Sequence, residues 1–202
     1  MRVLIACEFS GIVRNAFALR GHYAMSCDLQ PTEKAGNHYT GDVLDVLYDG
    51  WDMLIAHPPC TYLSNAGARW LYKKPGKIDP KRYAKGLEAK LFFMQLLNAP
   101  IEKIAIENPV PSKVFGLPKP QQSIQPFHFG HEYRKKTCLW LRGLPPLIRS
   151  VTVVNHEPFL PSNTGGPSRG QKTAKGVAQT KKDRSRTFAG VAAAMAQQWG
   201  AK

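Results

Sequence analysis

The chain has 202 residues and a formal charge of +14, from 28 Lys plus Arg against 14 Asp plus Glu. A hydrophobic content of 43%, with 10% aromatic residues, excludes a disordered chain and supports one domain with a proper core. No apolar run approaches the ~20 residues that cross a bilayer, so no membrane partner is expected.

The opening MRVLIACEFSG has too short an apolar stretch for a secretory signal and reads as a first strand, Arg2 to Cys7, which points to a cytoplasmic protein. Ile12 to Arg20 reads as the helix that follows. Tyr23 to Cys27 is a second strand, His38-Tyr39 a short third and Asp52 to Ala56 a fourth. Asp79-Pro80 supplies an N-cap and a proline at the first helical position. From there Tyr83, Leu87, Leu91, Met94 and Asn98 recur at helical spacing, which predicts a helix to about Asn98. Lys103 to Ile106 is a fifth strand, and Lys136 to Leu141 a further one. Strands alternating with helices predict an α/β fold with a mainly parallel sheet, flanking helices and right-handed crossovers. The chain divides into a Rossmann-like core (1–147), a basic loop or minimal insertion (148–182) and a C-terminal helix closing on the core (183–202), with Val191, Met195 and Trp199 on one face.

In such sheets ligands bind beyond the carboxyl ends of the strands. After the first strand comes Phe9-Ser10-Gly11, where a glycine lets a cofactor approach a helix N-terminus. Asp28 follows the second strand, 17 residues beyond Gly11, at the distance of a ribose-binding acid. Asp42 follows the third, where a carboxylate can accept from an adenine amino group. After the fourth comes His57-Pro58-Pro59-Cys60-Thr61, a thiol on a rigid turn, with Ser64 a little further on. Glu107-Asn108-Pro109 follows the fifth and offers a proton donor for a heterocycle nitrogen. Cys7, Cys27 and Cys138 lie in apolar segments and read as buried thiols. Cysteine and histidine spacing predicts no metal site.

These residues, in this order, resemble the DNA cytosine-5 methyltransferase family, in a small form of the type found in bacteriophage genomes, which would place it in a bacterial host cytoplasm. The resemblance implies a Rossmann-like methyltransferase fold, S-adenosylmethionine as cofactor, and double-stranded DNA with a flipped cytosine as partner. Phe9, Ser10 and Gly11 match the cofactor loop, Asp28 the ribose-binding acid and Asp42 the adenine-binding acid. Pro59-Cys60 matches the Pro-Cys nucleophile motif, with Pro59 on the cofactor side. Glu107-Asn108 matches the Glu-Asn motif, Glu107 acting at N3 and Asn108 holding substrate. Glu132-Tyr133-Arg134-Lys135-Lys136 is similar to the Gln-x-Arg-x-Arg segment, with Arg134 orienting the base and Lys136 in the second Arg position. Thr61 and Ser64 complete the expected substrate side. The implied chemistry is addition of the Cys60 thiolate at cytosine C6, one-carbon transfer to C5, and elimination.

Two departures open alternatives. Ile12-Val13-Arg14 stands where the family carries glycines, and Arg184-Ser185-Arg186-Thr187 replaces an Asn-rich loop. Arg14 would bring charge to the donor pocket. A methylene-tetrahydrofolate donor, giving hydroxymethylcytosine, is the alternative; a dCMP-level transferase and a non-catalytic DNA-binding protein are others. The short 148–182 segment predicts low sequence specificity, with basic groups gripping phosphates. A second basic stretch, Arg69, Lys73, Lys74, Lys77, Lys81, Arg82 and Lys85, could close over the base or track the backbone, with 81–85 reading as a solvated helix face.

Overall fold

A computed structural model describes residues 1–74, 76–155 and 185–201. In chain order the elements are β1 (Arg2–Ala6), α1 (Ile12–Ala18), β2 (Tyr23–Asp28), β3 (His38–Thr40), β4 (Met53–Ala56), α2 (Asn65–Ala68), β5 (Tyr72–Lys74), β6 (Lys77–Ile78), α3 (Pro80–Leu97), β7 (Lys103–Pro109), β8 (Gln122–Ile124), β9 (Thr137–Arg142) and α4 (Ala189–Trp199). Residues 156–182 of the expected basic segment, and Arg184, lie outside the described residues.

Seven strands form one sheet in the order β3-β2-β1-β4-β7-β9-β8. The first five positions are mutually parallel, and β9 runs antiparallel to both its neighbours. This is the Rossmann-like α/β architecture expected, a mainly parallel sheet with flanking helices. The apolar runs are continuous because both faces are covered. Leu4, Leu54 and Ile104 lie in register and pack with Phe93 and Leu96 of α3 on one face. Ile5, Ile55 and Ala105, one residue on, pack with Val13 and Phe17 of α1 and Val191, Met195 and Trp199 of α4 on the other. The chain runs outward from β1 to β3 and then returns to the other side of β1 for β4. The carboxyl ends of β1 and β4 therefore flank the switch point where such sheets hold ligands.

Three features extend the sequence reading. The Glu107-Asn108-Pro109 motif is the last part of β7 rather than following the strand, because β9 continues to pair there: Glu107 with Leu139, Asn108 with Cys138, Pro109 with Thr137. On α3, Leu87 and Leu91 are exposed, and the buried face is Gly86, Phe93 and Leu96. Gly86 sets that rotation, since a Cβ there would stand 2.1 Å from Phe115 Cζ. Third, the segment after Cys60 is structured: α2, a turn of 3-10 helix at Arg69–Leu71, and the antiparallel β5–β6 hairpin.

The caps are as predicted for α3, where Asp79 accepts from the Lys81 and Arg82 amides and Pro80 opens the helix. Trp140 is fully buried, with its indole N–H donating to Pro118 O at 2.7 Å, so it serves the core. No helix among the described residues is long and apolar enough to cross a membrane.

Candidate active site

The end of β1 is built around a buried acid. Glu8 turns its carboxylate under α1 and accepts from Val13 N at 2.7 Å, Arg14 N at 3.3 Å and Ser10 Oγ at 3.0 Å. The free amides of the helix N-terminus, which would otherwise suit an anion, are thus engaged by the protein's own carboxylate. Phe9, Ser10 and Gly11 are all buried here. Gly11 is needed for its left-handed φ of 67° and because a Cβ would meet Arg14 Nη2 at 2.5 Å. The Cβ side of that glycine is filled by the Arg14 and Lys34 side chains.

Arg14 also departs from expectation. Its side chain is buried rather than directed at a donor. The guanidinium donates to Asn15 Oδ1, Ser26 Oγ, Thr32 Oγ1, and the Lys34 and Ala35 carbonyls. Burial lowers its pKa and the Glu8 charge opposes that shift. Arg14 therefore ties loop 29–37 to α1.

Asp28 and Asp42 converge at the ends of β2 and β3. Each uses Oδ1 for a local turn, Asp28 accepting from Gln30 N and Asp42 from Leu44 N. Cys7 lies close enough to feel both: burial first, then Asp28, Cys27 and Asp42, pushes its thiol pKa far up, so it stays protonated. Cys7 also has a φ of 57°, the one left-handed non-glycine among the described residues, directly after β1. Burial and the neighbouring Asp28, Asp42 and Asp45 push the Cys27 thiol up to about 12.

Beyond β4 the chain is pinned from three sides. His57 N donates to Ala6 O across the switch point at 2.9 Å. Asn108, buried, donates from Nδ2 to Pro58 O at 2.9 Å, joining the two motifs through a single bond. Past half-buried Cys60, Ser64 N donates to Cys60 O, Asn65 N to Val110 O and Ser112 N to Leu63 O. Thr61 is exposed and Ser64 buried. Arg82 of α3 donates to Thr61 O and Gly67 O, and its guanidinium sits 4.9 Å from the Tyr62 ring centroid. It clamps the turn after Cys60 instead of lying on the solvated face predicted for 81–85. Lys81 and Lys85 do lie on that exposed face. Trp70 is exposed.

Glu107 sits across from this turn. Its Oε2 is 2.8 Å from His57 Nδ1, both side chains being largely buried. Burial works against the carboxylate. The hydrogen bond and charge of His57, then the Lys135 charge and the Thr137 hydroxyl, outweigh it and hold Glu107 below the usual carboxylate range. Lys135 is the cation that reaches this face because residues 135 and 137 alternate toward Glu107. Arg134 and Lys136, the residues singled out in the sequence, are exposed, with the Arg134 guanidinium 5.9 Å from the Phe127 ring centroid. Sequence spacing missed Lys135, Arg82 and the His57–Glu107 bond; period-two alternation before β9 was the available signal for the first. No group of three or more His, Cys, Asp or Glu side chains among the described residues is placed to hold a metal.

Fold and site together define a Rossmann-like α/β domain with a cysteine turn and a buried glutamate at neighbouring strand ends. No protein family matches the sequence, and no curated protein does. Among solved structures, the chain is similar to a protein from an E. coli prophage, provisionally described as a DNA modification methyltransferase. Identity is 12% and the TM-score 0.45, over 70% of this chain and 46% of that one. The chain thus spans less than half the length of that neighbour.

Proposed function

We propose that this protein modifies cytosine in DNA at C5 by covalent cysteine catalysis, most simply by methyl transfer from S-adenosylmethionine. The observation that carries the reading is the joining of the two motifs. Cys60 stands on a Pro-Pro turn whose carbonyl is held by Asn108, and the adjacent Glu107 is the buried acid of the same strand end.

Each residue then has a task. Cys60 Sγ forms a bond to cytosine C6, and the ring π electrons shift toward N3, where Glu107 holds a proton. C5 becomes nucleophilic. After transfer, loss of the C5 proton expels Cys60 and the N3 proton returns to Glu107. Asp28 and Asp42 are the residues that would hold the ribose hydroxyls and adenine of a nucleoside cofactor, whose bound form supplies an electrophilic methyl group. The Glu8 carboxylate under α1 favours a cofactor with no phosphate at that turn. Arg134, Lys136, Thr61 and Trp70 are exposed and are the residues that would contact the nucleic acid.

Arg14, one of the departures from the family pattern that open a folate donor, is engaged beneath loop 29–37, which supports the S-adenosylmethionine reading. Mass spectrometry of nucleosides from DNA incubated with each one-carbon donor tests the reading. The expected product is 5-methylcytosine, formed with S-adenosylmethionine and lost in Cys60→Ser. Product only with methylene-tetrahydrofolate would replace the donor. Undiminished product in Cys60→Ser would overturn covalent catalysis.

A further inference from the structure

We propose that His57 and Glu107 form a proton-holding couple, in which Glu107 meets the target ring and His57, acting through it, stores the proton that Glu107 delivers. This rests on the cytosine reading for the identity of the acceptor. It does not rest on that reading for the couple itself.

The geometry comes from the sheet. Ala56 and Ile106 are paired across β4 and β7, so the next residues, His57 and Glu107, emerge side by side on the same face. Their bond is 2.8 Å long, and the side chains are only 9% and 14% exposed. His57 has a second nitrogen, and it is unusual: Nε2 is buried with no hydrogen-bond partner. A buried orphan N–H is rarer and costlier than an unsatisfied acceptor. The ring therefore carries its hydrogen on Nδ1, donates it to Glu107, and leaves Nε2 as a bare lone pair. The charged and hydroxyl groups facing the carboxylate are His57 from the end of β4, and Lys135 and Thr137 from the approach to β9. The α4 side of the adjacent cleft adds Thr187, Phe188 and Val191, none of them titratable near neutrality.

In that resting state Glu107 is a carboxylate and has nothing to give to N3. One more proton must enter, and Nε2 is the open position for it. A proton placed on Nε2, which is closed to bulk solvent at rest, makes the ring an imidazolium. The Nδ1 proton then crosses to Glu107 Oε2, leaving a neutral ring and a carboxylic acid. As the Cys60–C6 bond forms and the ring electrons reach N3, the acid proton moves to N3. Elimination breaks the Cys60–C6 bond and returns that proton to Glu107, so the couple's proton count is restored each cycle. The rate should fall as rising pH strips the extra proton from the couple.

Two measurements on the full chain test this. The first is NMR of 15N-histidine-labelled protein, with His57 signals assigned by their loss in His57→Gln. A ring protonated on Nδ1 and bare at Nε2 is expected, with the Nδ1 proton signal moving in Glu107→Gln as its acceptor changes. The second is the pH dependence of Cys60-dependent product formation, where His57→Gln should lose at least tenfold in rate and lose the wild-type decline on the alkaline side. An unchanged Nδ1 proton signal in Glu107→Gln, or an unchanged pH profile in His57→Gln, would overturn the couple. If the wild type forms no product with any donor, the cytosine reading fails, and the NMR measurement still decides the couple.

Discussion

Arg14 is the residue whose role is most concentrated. Its guanidinium satisfies two carbonyls and three side-chain acceptors from α1, β2 and loop 29–37. Replacing it with Met keeps the aliphatic stem and strands those acceptors. Each buried, unsatisfied acceptor costs ~1–3 kcal/mol, and partial solvation will moderate the sum. Arg14→Met should therefore lose about 2–4 kcal/mol in urea unfolding, beyond an ordinary surface change. Loop amides 30–36 should exchange faster with solvent. An unchanged midpoint would mean the loop is held by other bonds, such as Glu33 N to Phe9 O and the Glu33–Arg186 ion pair.

The turn after Cys60 is held in place as an element, and Gly67 shows how tightly. A Cβ on Gly67 would stand 1.9 Å from the Thr61 carbonyl oxygen. Backbone cannot yield by that much without moving the turn. Gly67→Ala should therefore reduce Cys60-dependent turnover by tenfold or more, with a stability loss of ~1–3 kcal/mol. Arg82→Ala should act in the same direction by releasing Thr61 O and Gly67 O. Turnover measured beside circular dichroism separates a displaced turn from an unfolded chain.

A second element responds to pH. His131 Nε2 accepts from Gly190 N in the first turn of α4, which requires a bare nitrogen, and burial lowers the His131 pKa. The unfolded chain takes up that proton near pH ~6.5, whereas the folded chain resists it. Stability therefore falls as pH drops below that value, and α4 is the element whose first turn loosens. Thermal melts at pH 7.5 and 5.5 should differ more for the wild type than for His131→Gln.

Strand positions were legible because strands buried on both faces read as unbroken apolar runs, as in residues 2–6, 53–56 and 103–106. The face of α3 was not, because the residue that decides it is Gly86, and its partner Phe115 lies beyond the next strand. The candidate acids and the thiol were legible from their places after strands. Their bonds were not: His57 meets Glu107 only through the β4–β7 register, and Lys135 reaches Glu107 only because β9 runs antiparallel. Glu8 escaped notice for another reason, since a carboxylate next to an apolar strand reads as surface until a helix N-terminus is seen above it.

At the scale of the molecule the +14 charge needs a place to act. The β5–β6 hairpin carries Lys73, Lys74 and Lys77 about 13 to 17 residues beyond Cys60 in sequence, and Trp70 and Tyr72 of the same stretch are exposed. Cations interleaved with aromatic rings suit a phosphate backbone and its bases, the cations giving grip without reading sequence. If they contact phosphates, affinity for a DNA duplex falls steeply with salt, and each lost contact lowers the slope of log K against log salt by ~0.9. The triple change Lys73→Gln, Lys74→Gln and Lys77→Gln should thus flatten the slope by about two to three, equally for unrelated duplex sequences. Trp70→Ala should instead weaken binding with little change in slope, since stacking releases no counterions. A triple variant with the wild-type slope would assign these lysines to solubility, and a sequence-dependent loss would show that the hairpin reads bases.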